Sequence, residues 1–294
     1  MNKKIKLPSF LFFDGAMGTE LQRRGLPLGK PPEILNIENP SLVEEVHRDY
    51  INSGAMVIET NTFGGNRLRL RKSGLEDKIK EINQKGVEIA LKASRGKVLV
   101  AGSVGPLGEL IEPLGNLTEE EAEKIFSEQI ELLVNSGVDF ILIETMISLN
   151  EALIALRSAK KFHILVGVTM SFEWTERGGR TPFGYEVESS IKKLEKAGAD
   201  FVGANCGKGF EDMLKIAALG KKSTNLPVLI QPNAGLPKWE NGQLIYPENP
   251  ENFKKFVEEM IKLNINYIGG CCGTTPKHIE VFKEFNIKNN FHTS

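Results

Sequence analysis

The chain has 294 residues, 40% of them hydrophobic and 26% charged, with a formal net charge of −1. That composition supports a large core, no basic tract calls for nucleic acid or a membrane surface, and no uncharged stretch reaches about 18 residues without an interrupting proline. Three cysteines, an odd number, make no disulfide framework and suit a reducing, cytoplasmic setting.

The start, "MNKKIKLPSFLFFDG", carries lysines and a short apolar run. Pro8 breaks the run and Asp14 stops it, and no small-residue cleavage pattern follows, so it is not read as a secretion signal. From there, short apolar runs alternate with amphipathic stretches. "LFFDGAMG" (11–18) is the first run. "SLVEEVHRDYINSG" (41–54) reads as a helix opened by a Ser-x-x-Glu capping box. The runs "AMVIETNTF" (55–63) and "KVLVAGSVG" (97–105) follow. "TEEEAEKIFSEQIELLVNSG" (118–137) has acids in its first turn and a glycine stop. Next come the runs "DFILIETM" (139–146) and "HILVGVTMSF" (163–172), then the helix "VESSIKKLEKAG" (187–198). The runs "FVGANCG" (201–207) and "PVLIQPNAG" (227–235), the helix "ENFKKFVEEMIKL" (251–263) and the run "YIGGCCG" (267–273) complete the series.

Near-continuous apolar runs are what parallel strands buried on both faces require. Eight of them alternating with helices predict a single (β/α)8 TIM barrel, one domain over residues 1–294. A doubly wound open sheet is the second choice. A weak internal repeat favours the barrel: "SGAMVIET" (53–60), "SGVDFILIET" (136–145) and "AGADFVGANC" (197–206) each join a glycine stop, a strand and a polar strand end.

In such a barrel the chemistry sits where the strands end. Those ends carry Asp14 on strand one, Glu59 to Asn61 on strand two and Glu144 on strand four. Strand six brings Asn205 and Cys206, strand seven Asn233, and strand eight the adjacent Cys271 and Cys272. All three cysteines therefore fall on one rim. Three thiolates suit zinc, and three protein ligands with an open fourth position is the catalytic pattern. Free cysteines are also common core residues, and spacing alone leaves both readings open.

"DGAMGTEL" at strand one, "NCG" after strand six and "GGCCGTTPxH" after strand eight resemble the homocysteine S-methyltransferase family, from Asp14 to about Phe285. That family includes the homocysteine-binding module of cobalamin-dependent methionine synthase and betaine–homocysteine methyltransferase. The resemblance implies one zinc per chain on Cys206, Cys271 and Cys272. It also makes Asn233, in "QPNAG", a weak fourth ligand in the resting state; a turn-capping asparagine is the other reading. The implied reaction transfers a methyl group to homocysteine and forms methionine. A free thiol has a pKa near 8.5, and a coordinating thiol is deprotonated outright.

Glu144 and Asp14 are the expected partners of the substrate ammonium, and the family resemblance supports both. Their bland readings are a surface carboxylate and an N-cap. The substrate carboxylate is expected on the backbone of the turn at Gly15, Ala16 and Met17, an anion nest. Thr275 and Pro276 read as N-cap and first position of the last helix, and His278 as a surface residue. His47 lies on a helix and His163 begins a strand, with no metal-like spacing. "SFEWTERGGRTPFG" (171–184) is a lid over the mouth or a mobile loop.

The methyl donor stays open between methylcobalamin on a corrinoid protein, S-methylmethionine and betaine. "DGAMGTEL" and "QPNAG" resemble the methionine synthase branch, which favours the corrinoid. The chain shows neither a second barrel for a pterin nor a cobalamin module, so a separate corrinoid or pterin-binding partner is expected to bring a methyl group derived from methyltetrahydrofolate. Two competing classes remain: a barrel that binds phosphate or flavin at "GGCCGTT", and a non-catalytic zinc protein.

Overall fold

A computed structural model describes residues 6–240 and 243–285. The lysine-bearing start, residues 1–5, lies outside the described residues. Eight parallel strands form one sheet: β1 (Leu11–Phe12), β2 (Val57–Glu59), β3 (Leu99–Val104), β4 (Phe140–Met146), β5 (Val166–Met170), β6 (Phe201–Cys206), β7 (Val228–Pro232) and β8 (Tyr267–Ile268). From β2 to β8 each pairs with the next in chain order, and β1 pairs with β8, Leu11 opposite Tyr267. Between β1 and β2 the ring closes through one bridge, Phe13 to Val57, and a hydrogen bond from Met56 N to Phe12 O at 2.7 Å. The sheet is therefore a TIM barrel and not an open doubly wound layer.

The sequence explains the ring. Val57, Ile58, Val100, Ile141, Leu142, Ile143, Val166 and Val168 are fully buried, as strands covered on both faces demand. Inside, the rings of Phe13, Phe140, Phe201 and Tyr267 meet at centroid distances of 5.3 to 6.5 Å and plug the barrel below the mouth. Gly167 makes room for this plug, since a Cβ there would stand 2.0 Å from the Phe201 ring.

The outer helices follow the sequence pattern with local changes at their ends. The helix Glu119–Ser136 has the expected box, Thr118 and Glu121 capping one another, and ends at Gly137 with φ of 99°. The helix Pro40–Asn52 starts earlier than expected. Asn39 caps it and Pro40 takes the first position, so the Ser41–Glu44 box does not form. Glu44 instead pairs with Lys92 at 2.7 Å and with Arg48. His163 does not begin a strand. It sits in a turn at φ of 53°, and β5 starts at Val166.

The 171–184 segment holds a hairpin, Glu173–Thr175 against Gly178–Arg180. It leans on the following helices: Gly179 meets Val187 and Ile216, Lys215 stands 5.9 Å over the Trp174 ring, and Lys208 pairs with Glu173 at 3.0 Å. The segment is thus a packed hairpin rather than a loose loop. A second hairpin, Lys238–Glu240 against Gln243–Ile245, follows β7. No helix among the described residues is long and apolar enough to cross a membrane.

Candidate metal and amino-acid site

The ends of β6, β7 and β8 are tied to one another through the backbone, and this sets the cysteines. Cys271 N donates to Pro232 O at 2.8 Å, Asn233 N to Cys206 O at 3.0 Å, and Ala234 N to Cys272 O at 2.9 Å. Cys206 sits in the left-handed region at φ of 63°, a conformation that costs about 1–3 kcal/mol and that recurs at functional sites. Gly273, at φ of 83°, lies under the Tyr246 ring. The result brings the three sulfurs within 4.8 Å of one another, with Cys206 and Cys271 in contact at 3.3 Å.

Three thiols this close cannot all ionise unaided. Hydrogen bonds from Cys206 and Cys271 hold Cys272 well below the ordinary thiol value. Cys271 is pushed well up by its hydrogen bonding to Cys206 and Cys272 and by burial. In Cys206 the contact with Cys271 pulls down, but hydrogen bonding to Cys272 and burial win and raise it. A divalent cation removes the conflict, because it lets all three sulfurs carry charge. Sulfurs around tetrahedral zinc stand about 3.8 Å apart, between the 3.3 Å contact and the 4.8 Å limit found for this set. Asn233 lies beside it. Its Nδ2 donates to Gly207 O at 2.8 Å, while its Oδ1 is buried with no partner among the described residues.

The expected amino-acid pole is also in the mouth. Glu144 is 8% exposed and Asp14 is 2% exposed, so neither is a surface carboxylate. Asp14 is not an N-cap either, since Ala16 caps the short helix Met17–Arg23. Asp14 Oδ2 accepts from Glu59 N at 3.0 Å, and Glu144 Oε1 accepts from the Ser103 hydroxyl. Burial raises both carboxyls above the usual range. The turn at Gly15, Ala16 and Met17 packs tightly: a Cβ on Gly15 would stand 2.7 Å from Thr274 Oγ1. Ala16 N already donates to that hydroxyl at 3.2 Å, so a bound carboxylate competes with Thr274 for one donor of the nest.

Two residues went unassigned in the sequence, and a third was misplaced. Gln231, inside the β7 run, donates Nε2 to Glu59 Oε1 at 2.6 Å. Tyr246 lies beside the cysteines, and burial together with those sulfurs pushes its hydroxyl up to about 12. Gln231 opens the "QPNAG" stretch, which was its only advance signal; Tyr246 had none. His278 is buried, not exposed. It closes the cap of the last helix with Thr275, Nδ1 to Oγ1 at 2.9 Å, and its Nε2 meets Glu248 O at 3.1 Å. Thr275 and Pro276 take the expected cap and first position.

A barrel whose rim joins a three-cysteine cluster to buried carboxyls has the layout expected for methyl transfer to an amino-acid thiol. The family model for homocysteine S-methyltransferases matches residues 11–285, and the chain belongs to that family. It is 34% identical over 285 residues to a methionine synthase of Mycobacterium leprae, covering 90% of this chain and 23% of that protein. The corresponding figures for the methionine synthase of Mycobacterium tuberculosis are 33%, 90% and 24%. The chain thus spans about a quarter of the length of these relatives. Its fold matches the metallated form of the homocysteine methyltransferase MmuM from Escherichia coli with a TM-score of 0.80 at 24% identity, covering 95% of this chain and 97% of that one. The oxidised form of that enzyme matches with a TM-score of 0.79 at 25% identity, with the same coverage of both chains.

Proposed function

We propose that this chain transfers a methyl group to the sulfur of homocysteine and forms methionine, with one zinc ion held by Cys206, Cys271 and Cys272. The observation that carries this is the gathering of three sulfurs within 4.8 Å on the rim that also buries Asp14 and Glu144. Zinc in that place would supply a Lewis acid with an open fourth position, at which a thiol is deprotonated at neutral pH.

The remaining work falls to the protein's own groups. Asp14 and Glu144 take the substrate ammonium, and the turn at Gly15, Ala16 and Met17 takes its carboxylate. The ligand chain is then held at both charged ends, with its sulfur toward the cysteines. Asn233 Oδ1, which lacks a partner among the described residues, would be a weak ligand in the resting state, free to give way to substrate. The new S–C bond forms from the sulfur lone pair as the donor's bond to the methyl group breaks and its pair stays with the donor.

For the donor we infer methylcobalamin on a separate corrinoid protein, charged from methyltetrahydrofolate; S-methylmethionine or betaine as a direct donor is the alternative. The surface supports a large partner. Leu110, Leu114, Phe183, Leu236 and Trp239 are exposed on connections that follow the C-terminal ends of β3, β5 and β7, a placement that supports a protein contact on the mouth side. The three free thiols suit a reducing cytoplasm. The test is methionine formation by mass spectrometry over a panel of these donors, first with this protein alone and then with a corrinoid protein added. Methionine from none of them would refute the assignment.

A further inference from the structure

Three carboxyl groups meet in the mouth, not two. Glu59 ends β2 between Asp14 and Glu144: its own N–H donates to Asp14 Oδ2 at 3.0 Å, and its carboxyl lies within hydrogen-bonding reach of the Glu144 carboxyl. Gln231 Nε2 fixes it from β7 at 2.6 Å. Burial is the largest influence on all three acids, and it raises them all. The charges acting on Asp14 and Glu59 are other carboxylates, and the charge acting on Glu144 is the Cys272 sulfur.

Buried acids without a cation are costly, and such clusters persist where a ligand resolves them. A separate observation points to that ligand. Asp14 Oδ1 is buried without a partner among the described residues, although its companion oxygen is bonded. An ammonium offers three N–H donors, one for each carboxyl group.

We propose that Glu59 is a third carboxyl contact of the substrate ammonium, and that it sets the preference for an α-ammonium thiol over the same thiol without the amine. This rests on the homocysteine reading above. Gln231 acts through Glu59 as a positioning residue, holding one carboxyl oxygen so that the other faces the ligand.

The experiment is titration calorimetry of the purified zinc-bound protein with homocysteine and with 4-mercaptobutyrate, which has the same thiol and carboxylate but no amine. The unaltered protein should prefer homocysteine. Glu59→Gln should lose about tenfold in homocysteine affinity, the loss of one charge-assisted contact, and keep its affinity for 4-mercaptobutyrate within about twofold. Glu59→Asp keeps the charge but shortens the reach, and should show the same selective loss if Glu59→Gln does not fold. Unchanged homocysteine affinity, or parallel loss of both ligands, overturns the proposal. If the unaltered protein binds both thiols equally, the ammonium cage fails while the thiol reading stands; if it binds neither, the homocysteine reading itself has failed.

Discussion

Asn205 grips Thr145 twice: its Oδ1 accepts from Thr145 N at 2.8 Å, and its Nδ2 donates to Thr145 Oγ1 at 2.6 Å. Thr145 needs the grip. It is β-branched and sits at φ of 60°, a strained place for such a residue. Thr169 supports the same amide at 2.9 Å, and Asn205 Nδ2 also reaches Glu144 and the Cys271 sulfur, the latter at 3.9 Å. One amide thus ties the acid on β4 to the cysteines on β6 and β8. Asn205→Ala strands buried polar groups and should lower stability by about 2–3 kcal/mol, read from urea unfolding. A midpoint equal to that of the unaltered protein would show that Thr145 holds its conformation without help.

The metal prediction is direct. Purified protein should carry close to one zinc per chain by elemental analysis. Cys206→Ser and Cys272→Ser should each lose most of it, since a site with only three protein ligands cannot spare a thiolate. Strong chelators should remove it from the unaltered protein. Full zinc in both variants would place the metal elsewhere.

Glu144→Gln keeps the shape and the Ser103 contact but removes a charge. Homocysteine affinity should fall about tenfold or more, with zinc retained. Calorimetry returning the original affinity would take Glu144 out of ammonium binding.

His47 is a fully buried histidine whose two ring nitrogens find no partner among the described residues. Burial, against a smaller pull from Glu44, lowers its pKa from 6.5 to about 4. The folded ring therefore stays neutral while the unfolded chain takes up a proton near pH 6.5. Stability should fall as pH drops through 6.5 and level off near 4. At pH 5 the loss from this group is about 2 kcal/mol, and His47→Leu should remove it. Urea unfolding at pH 7.5 and pH 5 measures the difference; equal acid sensitivity in both proteins would clear His47 of the effect.

Most of the ring was legible because each strand is buried on both faces and so is apolar almost throughout, as in "DFILIETM" and "HILVGVTMSF". The cysteines were legible because they end strands, where the chain leaves the core and polar chemistry can start. Glu59 was placed on the rim but given no task, since its meaning depends on Gln231, 172 positions away in the chain. His278 was misread for a similar reason: local pattern puts it in a first helical turn, but Glu248 and the Phe253 ring, 5.9 Å away, enclose it. The hairpins at 173–180 and 238–245 are short and half polar, so their pairing left no period to read.

The ring of strands also has a weak link. Seven of its joints are strand pairs, and the eighth, between β1 and β2, is the bridge from Phe13 to Val57. Just above it Asp14 and Glu59 face each other across the gap. An ammonium gripped by both acids would act as a clasp on that gap, so occupancy of the site and integrity of the hoop would share one equilibrium. Ligand would then slow amide exchange at Phe13, Val57 and Glu59 more than at β5, on the far side of the hoop. The barrel would be sprung shut by its own substrate, and a chain without ligand would breathe first at this one seam.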